Sequence, residues 1–92
     1  MYRIKAGTVA SGVRLKRDVD VERSDTLQST LLFDSATGIT GFGSDESHAV
    51  EEWLWNARER MDTLSQFAGS LDQHGEQLRR HLESLLAQVH VP

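Results

Sequence analysis

The chain of 92 residues contains no cysteine, and its single proline is the last residue. Without cysteine it forms no disulfide, offers no thiolate ligand to a metal ion and carries no thiol nucleophile. The sequence also lacks a run of roughly 18 apolar residues that would span a membrane, and its first residues lack the apolar segment of a signal peptide. We therefore expect a cytoplasmic protein with no membrane contact.

Basic charge is scarce as well. Residues 1–44 hold 6 basic and 5 acidic residues, a net charge of +1, whereas residues 45–92 hold 4 basic and 9 acidic residues, a net charge of −5. The one basic cluster, between Arg14 and Arg17, is followed directly by Asp18, Asp20 and Glu22. Proteins that bind nucleic acid neutralise its phosphates with several uncompensated cations. We therefore expect no nucleic-acid partner.

Motifs of catalysis and metal binding are also missing. The four histidines include no pair four residues apart, which is the spacing that puts two imidazoles on one helical face. The glycine-rich segment 38–43 lacks the lysine of a phosphate-binding loop, and Asp45 and Glu46 follow it with the wrong charge. The carboxylates of Asp45, Glu46, Glu51 and Glu52 fall in the first turns of a predicted helix. Solvation by water and the favourable interaction with the helix dipole account for acidic residues at these positions. We expect a non-enzymatic protein with no catalytic residue, metal or cofactor.

The first half of the chain has the two-residue period of a β-strand. From residue 13 to residue 22 apolar and charged side chains alternate, which predicts one strand with one face in water. Arg17 interrupts the apolar row, and a bulge or an edge position would accommodate it. Residues 2–5 are either a further short strand or an ordered tail.

Two more strands are predicted before residue 44. Residues 30–33 are rich in strand-forming side chains, residues 34–38 carry a turn signal that ends in Gly38, and residues 39–42 form a short third strand. Residues 1–43 therefore predict an antiparallel meander of three strands, or of four if residues 2–5 pair.

The second half has a helical period. Ser44 or Asp45 is a good N-cap, and apolar residues then recur at spacings of four and three from Val50 to Val89. Gly69 and Gly75 each disfavour an unbroken helix by about 1 kcal/mol relative to alanine. The pattern predicts a single α+β domain, 1–92, with helices near 45–60, 63–73 and 76–89, the first two either separate or continuous, and an extended tail at 89–92.

Two tryptophans fall in the first predicted helix. Trp53 and Trp55 are about 200° apart around a helix and cannot share one face. Trp53 adjoins the apolar stripe and is predicted to lie in the core. Trp55 either packs under the sheet or belongs to an exposed patch, and tryptophan is enriched in binding hot spots.

These phrases in this order resemble a known family. The segments are 12–15 (GVRL), 31–39 (LLFDSATGI), 44–55, 62–67 (DTLSQF) and 78–91. Together they resemble the PqqD-like RiPP recognition element, a small winged-helix-like domain with a three-stranded sheet and three helices. The chain differs from the family in having Phe42-Gly43 at the end of the third strand and a helical sequence at 56–61.

The resemblance implies a function without catalysis. Members of this family bind the leader segment of a ribosomally made precursor peptide and present it to a modifying enzyme. The leader adds as a β-strand beside the third strand and lies against the last helix. Carried over by position, the strand edge is formed by Ile39, Thr40, Gly41 and Phe42, and the helical wall by Leu78, Arg79, Arg80, Leu82 and Leu85, with Arg79 or Arg80 pairing with an acidic leader residue.

A second hypothesis starts from the period of the apolar residues alone. A 3.5-residue repeat from Val50 to Val89 is typical of a coiled coil. On this interpretation residues 45–89 form one long helix or a helical hairpin that makes a homodimer, with the sheet as a cap. The protein is then a structural or assembly protein, and substitution of Leu64 or Leu82 by aspartate breaks the dimer.

Overall fold

The structure is a computed structural model, and it describes residues 1–89. His90, Val91 and Pro92 of the predicted tail lie outside the described residues. Within the described part the chain forms seven strands and two helices, in the order β1 (Tyr2–Ile4), β2 (Val9–Ala10), β3 (Val13–Leu15), β4 (Val19–Asp25), β5 (Thr30–Phe33), β6 (Thr40–Gly43), α1 (Glu46–Gln66), α2 (Gln73–Leu85) and β7 (Leu86–Gln88). The predicted α+β class with antiparallel strand pairing is confirmed.

The larger sheet is antiparallel and has four strands in the order β1-β4-β5-β6. The turn between β5 and β6 is held by the buried Asp34, whose carboxylate accepts the Ala36 N–H at 3.2 Å and the Thr37 hydroxyl at 2.7 Å. Gly38 completes the turn with a φ of +74°, a conformation that glycine adopts at little cost. This tight turn places β6 at an edge of the sheet, and no further strand formed by residues 1–89 lies beside it.

A second sheet of three strands, in the order β2-β3-β7, was not predicted. The single strand expected at residues 13–22 is two strands, β3 and β4, which belong to different sheets. The break falls around Arg17, where the Lys16 N–H donates to the Leu85 carbonyl at 2.6 Å and the Asp18 carboxylate accepts the Ala6 N–H at 2.7 Å. The three-stranded meander is therefore wrong. The alternation stays in phase across the break, so the sequence period does not reveal it.

The first helix is longer than the separate helices predicted for this region. Asp45 is its N-cap and accepts the backbone N–H of His48 at 2.9 Å, as the sequence predicts. The helix continues through residues 60–63 to Gln66, so the first two predicted helices are continuous and end before residue 73. Gly69, with a φ of +99°, lies in the connection that follows.

The second helix differs from the prediction at both ends. Asp72 is its N-cap and accepts the N–H of Gly75 at 2.7 Å, so Gly75 lies in the first turn and not between two helices. The helix ends at Leu85, not at residue 89, because the chain turns into β7 and pairs with β3. A single helix over 45–89 is wrong as well, since residues 67–72 separate the two helices.

One hydrophobic cluster joins both sheets and both helices. The apolar stripe that resembles a coiled-coil heptad supplies much of it, because its buried members lie in this core. Trp53 is fully buried, as predicted. The buried apolar residues are Ile4, Val13, Leu15, Val19, Val21, Leu32, Ile39, Ala49, Trp53, Leu54, Ala57, Met61, Leu82, Leu85 and Leu86. Among residues 1–89, no helix has the length and apolarity needed to cross a membrane.

Candidate functional site

The β6 edge is the free side of the last strand in the larger sheet, and its register shows which backbone groups point outward. Asp34 donates its N–H to the Ile39 carbonyl at 2.9 Å, which makes these two residues a hydrogen-bonded pair. Such pairs alternate along an antiparallel ladder, so Thr40 and Phe42 occupy the non-bonded positions opposite β5. The N–H and C=O groups of Thr40 and Phe42 therefore point away from the sheet. Of the four predicted edge residues, Thr40 and Phe42 are therefore the two whose backbone groups point out from the sheet.

Side chains of α1 occupy two of these four outward groups. The carboxylate of Glu52 accepts the Phe42 N–H at 3.2 Å, and the Asn56 amide donates to the Thr40 carbonyl at 2.8 Å. Glu52 is exposed and Asn56 is partly exposed. The edge is thus capped by side chains that can rotate into water, and not by a further strand.

Two glycines allow α1 to lie this close to the edge. A Cβ atom on Gly41 would lie 2.6 Å from the Cβ of Trp53 and also within contact of the Ala49 carbonyl oxygen. A Cβ atom on Gly43 would lie 2.6 Å from the Cβ of His48. Side chains do not pack at such distances, so glycine at these positions lets the backbone of α1 touch β6 and brings Glu52 and Asn56 to the edge.

The helical wall predicted from the resemblance lies elsewhere. The helix that packs along β6 is α1, whereas α2 contacts α1 and β7. Leu82 and Leu85 are buried in the core, and the half-buried Leu78 lines a small depression beside Ala36 in the β5–β6 turn. The structure therefore brings the predicted strand edge together with α1, and not with the predicted residues of α2.

The predicted arginines of α2 already have partners. Arg79 forms ion pairs with Glu76 and, at 2.8 Å, with Glu83. Arg80 lies 3.3 Å from the same carboxylate of Glu76. These contacts raise the pKa of Arg79 and lower the pKa of Glu76, in each case first through the hydrogen bond between the two side chains. Both cations are thus paired with carboxylates of their own helix.

The β6 edge is bordered by exposed aromatic side chains. Phe42 is 54% exposed and Trp55 is 48% exposed, and both line a shallow depression of about 480 Å³ together with Glu51 and Glu52. Leu31, 38% exposed, pairs with Phe42 across the sheet. Exposed aromatic residues grouped in this way are typical of interaction surfaces.

Sequence reasoning identified part of this site and missed the rest. Phe42 was predicted, and Trp55 was singled out as a candidate for an exposed patch because it cannot share a face with Trp53. Glu52 and Asn56 were not predicted as edge residues. Their i, i+4 spacing places them on one helical face, but the sequence does not show which strand that face meets.

A depression of about 540 Å³ lies between β1, β2 and the start of α1, and it is lined by Tyr2, Val9 and Glu46 among others. Arg23 ties its walls together, since its guanidinium bonds Glu46 at 2.6 Å and lies 5.4 Å from the centre of the Tyr2 ring. Burial and then Glu46 raise the pKa of Tyr2. These contacts of Arg23 join the sheet to α1. The two strands that border the depression are short, with three residues in β1 and two in β2.

Histidines do not form a metal centre in the described part of the chain. His48 lies in the first turn of α1, His74 and His81 lie on α2, and His90 is outside the described residues. Among residues 1–89, no three His, Asp or Glu side chains are grouped closely enough to hold a metal ion.

His48 and Asp45 form a charge pair at the start of α1. The His48 ring nitrogen Nδ1 lies 2.8 Å from the Asp45 carboxylate. This contact raises the pKa of His48, with a smaller contribution from Glu51. The pKa of Asp45 is lowered, first by the backbone N–H of His48 and then by its ring.

We expect the pair to be visible in an NMR titration of the His48 ring. The stabilisation that protonated His48 contributes is complete below the pKa of an unfolded histidine and is lost as the pH rises through the raised folded pKa. The contribution of Asp45 is present above the pKa of an unfolded aspartate and is lost as the pH falls through the lowered folded pKa. Asp45→Asn keeps a good N-cap but removes the charge, so it should lower the pKa of His48. An unchanged value would show that the ion pair is absent in solution.

Three comparisons with known proteins found no match: no family model, no curated protein and no solved structure proved similar to the chain. The role of the β6 edge therefore rests on its own hydrogen bonds, its exposed aromatic side chains and its charge.

Proposed function

We propose that the protein is a non-catalytic adaptor that binds an extended peptide by strand addition at the β6 edge. The observation that carries the proposal is the capping of Thr40 and Phe42 by the side chains of Asn56 and Glu52 on an otherwise free strand. The resemblance to the PqqD-like RiPP recognition element supplies the context. The peptide is then the leader of a precursor in the cytoplasm, presented to a modifying enzyme.

An incoming strand would exchange hydrogen bonds at the edge. It replaces Glu52 at the Phe42 N–H and Asn56 at the Thr40 carbonyl, and the two side chains turn into water. A hydrogen bond exchanged in this way contributes little net free energy, because one partner substitutes for another. The Thr40 N–H and the Phe42 carbonyl also point outward and give the peptide two further ladder bonds.

Side chains of the peptide would find apolar contacts beside the edge. Alternate residues of an added strand point to the same face, and Phe42 and Trp55 offer exposed aromatic surface next to it. Burial of such surface contributes roughly 25 cal/mol per Å². The binding groove in this proposal lies between β6 and the flank of α1, whereas the resemblance implies α2.

The proposal is tested by selecting random 12-residue peptides displayed on phage against the wild-type protein, with Phe42→Asp in the counter-selection. We expect enriched sequences with alternating apolar residues, and in NMR titrations of one such peptide the largest shifts at the Thr40 and Phe42 amides. If no sequence is enriched over the variant, or the shifts fall elsewhere, the adaptor proposal is wrong.

A substitution that leaves the net charge unchanged distinguishes strand addition from binding through side chains alone. Asn56→Ala frees the Thr40 carbonyl for the peptide and should tighten binding about twofold to tenfold, since a hydrogen bond contributes roughly 0.5–1.5 kcal/mol. Gln66→Ala, which removes an exposed amide at the end of α1, is the matched control and should leave the affinity unchanged. Equal affinities of the wild type and Asn56→Ala would argue against an added strand.

A further inference from the structure

We infer that the depression beside the β6 edge selects a lysine or arginine side chain of the bound peptide. This inference rests on the proposed adaptor function and names the chemistry of its partner. The depression is lined by two aromatic residues, Phe42 and Trp55, and by two carboxylates, Glu51 and Glu52. A cation over an aromatic face gains electrostatic attraction from the ring, and nearby carboxylates add to it.

The two carboxylates form no ion pair with the described residues, and the added strand releases Glu52 from the Phe42 N–H. Among residues 1–89, no lysine, arginine or histidine nitrogen lies within 4 Å of the carboxylate of Glu51 or Glu52. His48 also lines the depression, but its ring is held by Asp45 at 2.8 Å. The depression therefore presents negative charge beside exposed aromatic surface.

The charge along the edge changes from one end of β6 to the other. Beside Thr40 and Gly38 a second depression is lined by Glu59 and Arg60, one acid and one base. The end near Phe42 is lined by Glu51 and Glu52 without lysine or arginine. A basic residue of the peptide is thus favoured at the Phe42 end and not at the Thr40 end, which fixes the register of the peptide as well as its charge.

Charge also argues against a second copy of the chain as the occupant. Two β6 edges paired about a two-fold axis run antiparallel, so the Phe42 end of each copy meets the Thr40 end of the other. That end is lined by Glu59 and Arg60, whose charges offset each other. A basic peptide brings an uncompensated cation to Glu51 and Glu52, which a second copy does not.

The acidic partner residue implied by the resemblance fits the structure less well. Arg79 and Arg80 are the cations assigned to it, and both are bound to Glu76 in their own helix. An acidic peptide would compete with that carboxylate for the two guanidinium groups and would then face Glu51 and Glu52 at the β6 edge. The structure favours a peptide of the opposite charge.

The peptides enriched in the phage selection test the charge directly. We expect a lysine or arginine at one aligned position in most of them, and a loss of affinity of about threefold to tenfold when that residue is replaced by norleucine, which keeps the length but removes the charge. Glu51→Gln should weaken the basic peptide by a similar factor at low salt and by less at high salt. Glu22→Gln removes one carboxylate from β4, two strands away from β6, and is the control for net charge.

The outcomes separate this inference from the adaptor proposal. If peptides are enriched without lysine or arginine, or if norleucine binds as tightly as lysine, the basic partner is wrong while the adaptor stands. If no peptide is enriched, the adaptor proposal fails first. Trp55→Leu keeps apolar surface but removes the indole, so it should weaken the lysine peptide more than the norleucine peptide. Equal losses for both peptides would contradict the contact between the cation and the ring.

Discussion

Gly41→Ala is expected to destabilise the protein by about 3 kcal/mol, which for a domain of this size lowers Tm by roughly 15 °C. The added methyl group would lie 2.6 Å from both the backbone nitrogen and the Cβ of Trp53. Neither neighbour can give way easily, because Trp53 and Ala49 are fully buried between the sheet and α1. The backbone conformation of Gly41 does not itself require glycine, so the loss comes from the missing space alone.

A second glycine provides the control. At Gly75 a Cβ atom would lie 3.2 Å from the Asp72 carboxylate and 3.4 Å from Leu71, and all of these neighbours are side-chain atoms. Gly75 lies in a helix, where alanine is favoured by about 1 kcal/mol. Gly75→Ala should therefore change stability far less than Gly41→Ala. Urea unfolding followed by tryptophan fluorescence measures both, and a Gly41→Ala protein as stable as the wild type would show that α1 does not touch β6.

The same glycine connects stability with the candidate site. If α1 lay further from β6, Glu52 and Asn56 would no longer reach the outward groups of Phe42 and Thr40. The flank of α1 and the strand edge would also cease to form two walls of one groove. Gly41 thus contributes to the site through packing, although it offers no side chain to a ligand.

The mixed fold class and several elements were predictable because their signals are local. The turn at Asp34–Gly38, the strand at Thr30–Phe33 and the N-cap at Asp45 depend on residues that are close in sequence. The break between β3 and β4 was not predictable in the same way. Its hydrogen bonds join Lys16 to Leu85 and Asp18 to Ala6, and both of these partners are distant in sequence. The alternation of apolar and charged side chains continues through the break.

The segment that follows α2 shows the same limit of prediction from local sequence. The helical period continues through Leu85 and Val89, yet residues 86–88 form a strand because β3 offers them a pairing edge. Period alone does not distinguish a helix that continues from a chain that leaves it for a sheet. The heptad pattern was misleading for a related reason, since a stripe that faces a sheet has the same spacing as one that faces a second helix.

The candidate site was predictable only as far as its strand. Phe42 and Thr40 follow from the turn that precedes them, which fixes the register of β6. The helix that borders the edge was predicted as α2 from the resemblance, whereas packing places α1 there through Gly41 and Gly43. Two glycines in a strand indicate close approach of another backbone, and this signal was present in the sequence.

Leu82→Asp is expected to unfold the protein, whichever of the two functional hypotheses is correct. Leu82 is fully buried in the core shared by both sheets and both helices. Truncation of a buried leucine to alanine costs about 2–5 kcal/mol, and a carboxylate in the same place adds the cost of burying a charge. The total stability of a small domain is about 5–15 kcal/mol, so the folded state should be lost or nearly lost. Circular dichroism and urea unfolding measure this directly.

Leu64→Asp is the informative partner variant for the assembly hypothesis. Leu64 lies in the same apolar stripe near the end of α1, but its side chain is only partly buried against the core. We expect this variant to remain folded, with a smaller loss of stability than Leu82→Asp. Light scattering then decides between the hypotheses. A monomer for the wild type and for Leu64→Asp supports the adaptor, whereas a tight wild-type dimer that Leu64→Asp converts to a folded monomer supports assembly through the helices. Leu82 is completely buried within a single chain and does not lie at a dimer surface. A folded Leu82→Asp protein would therefore contradict the core that the structure shows.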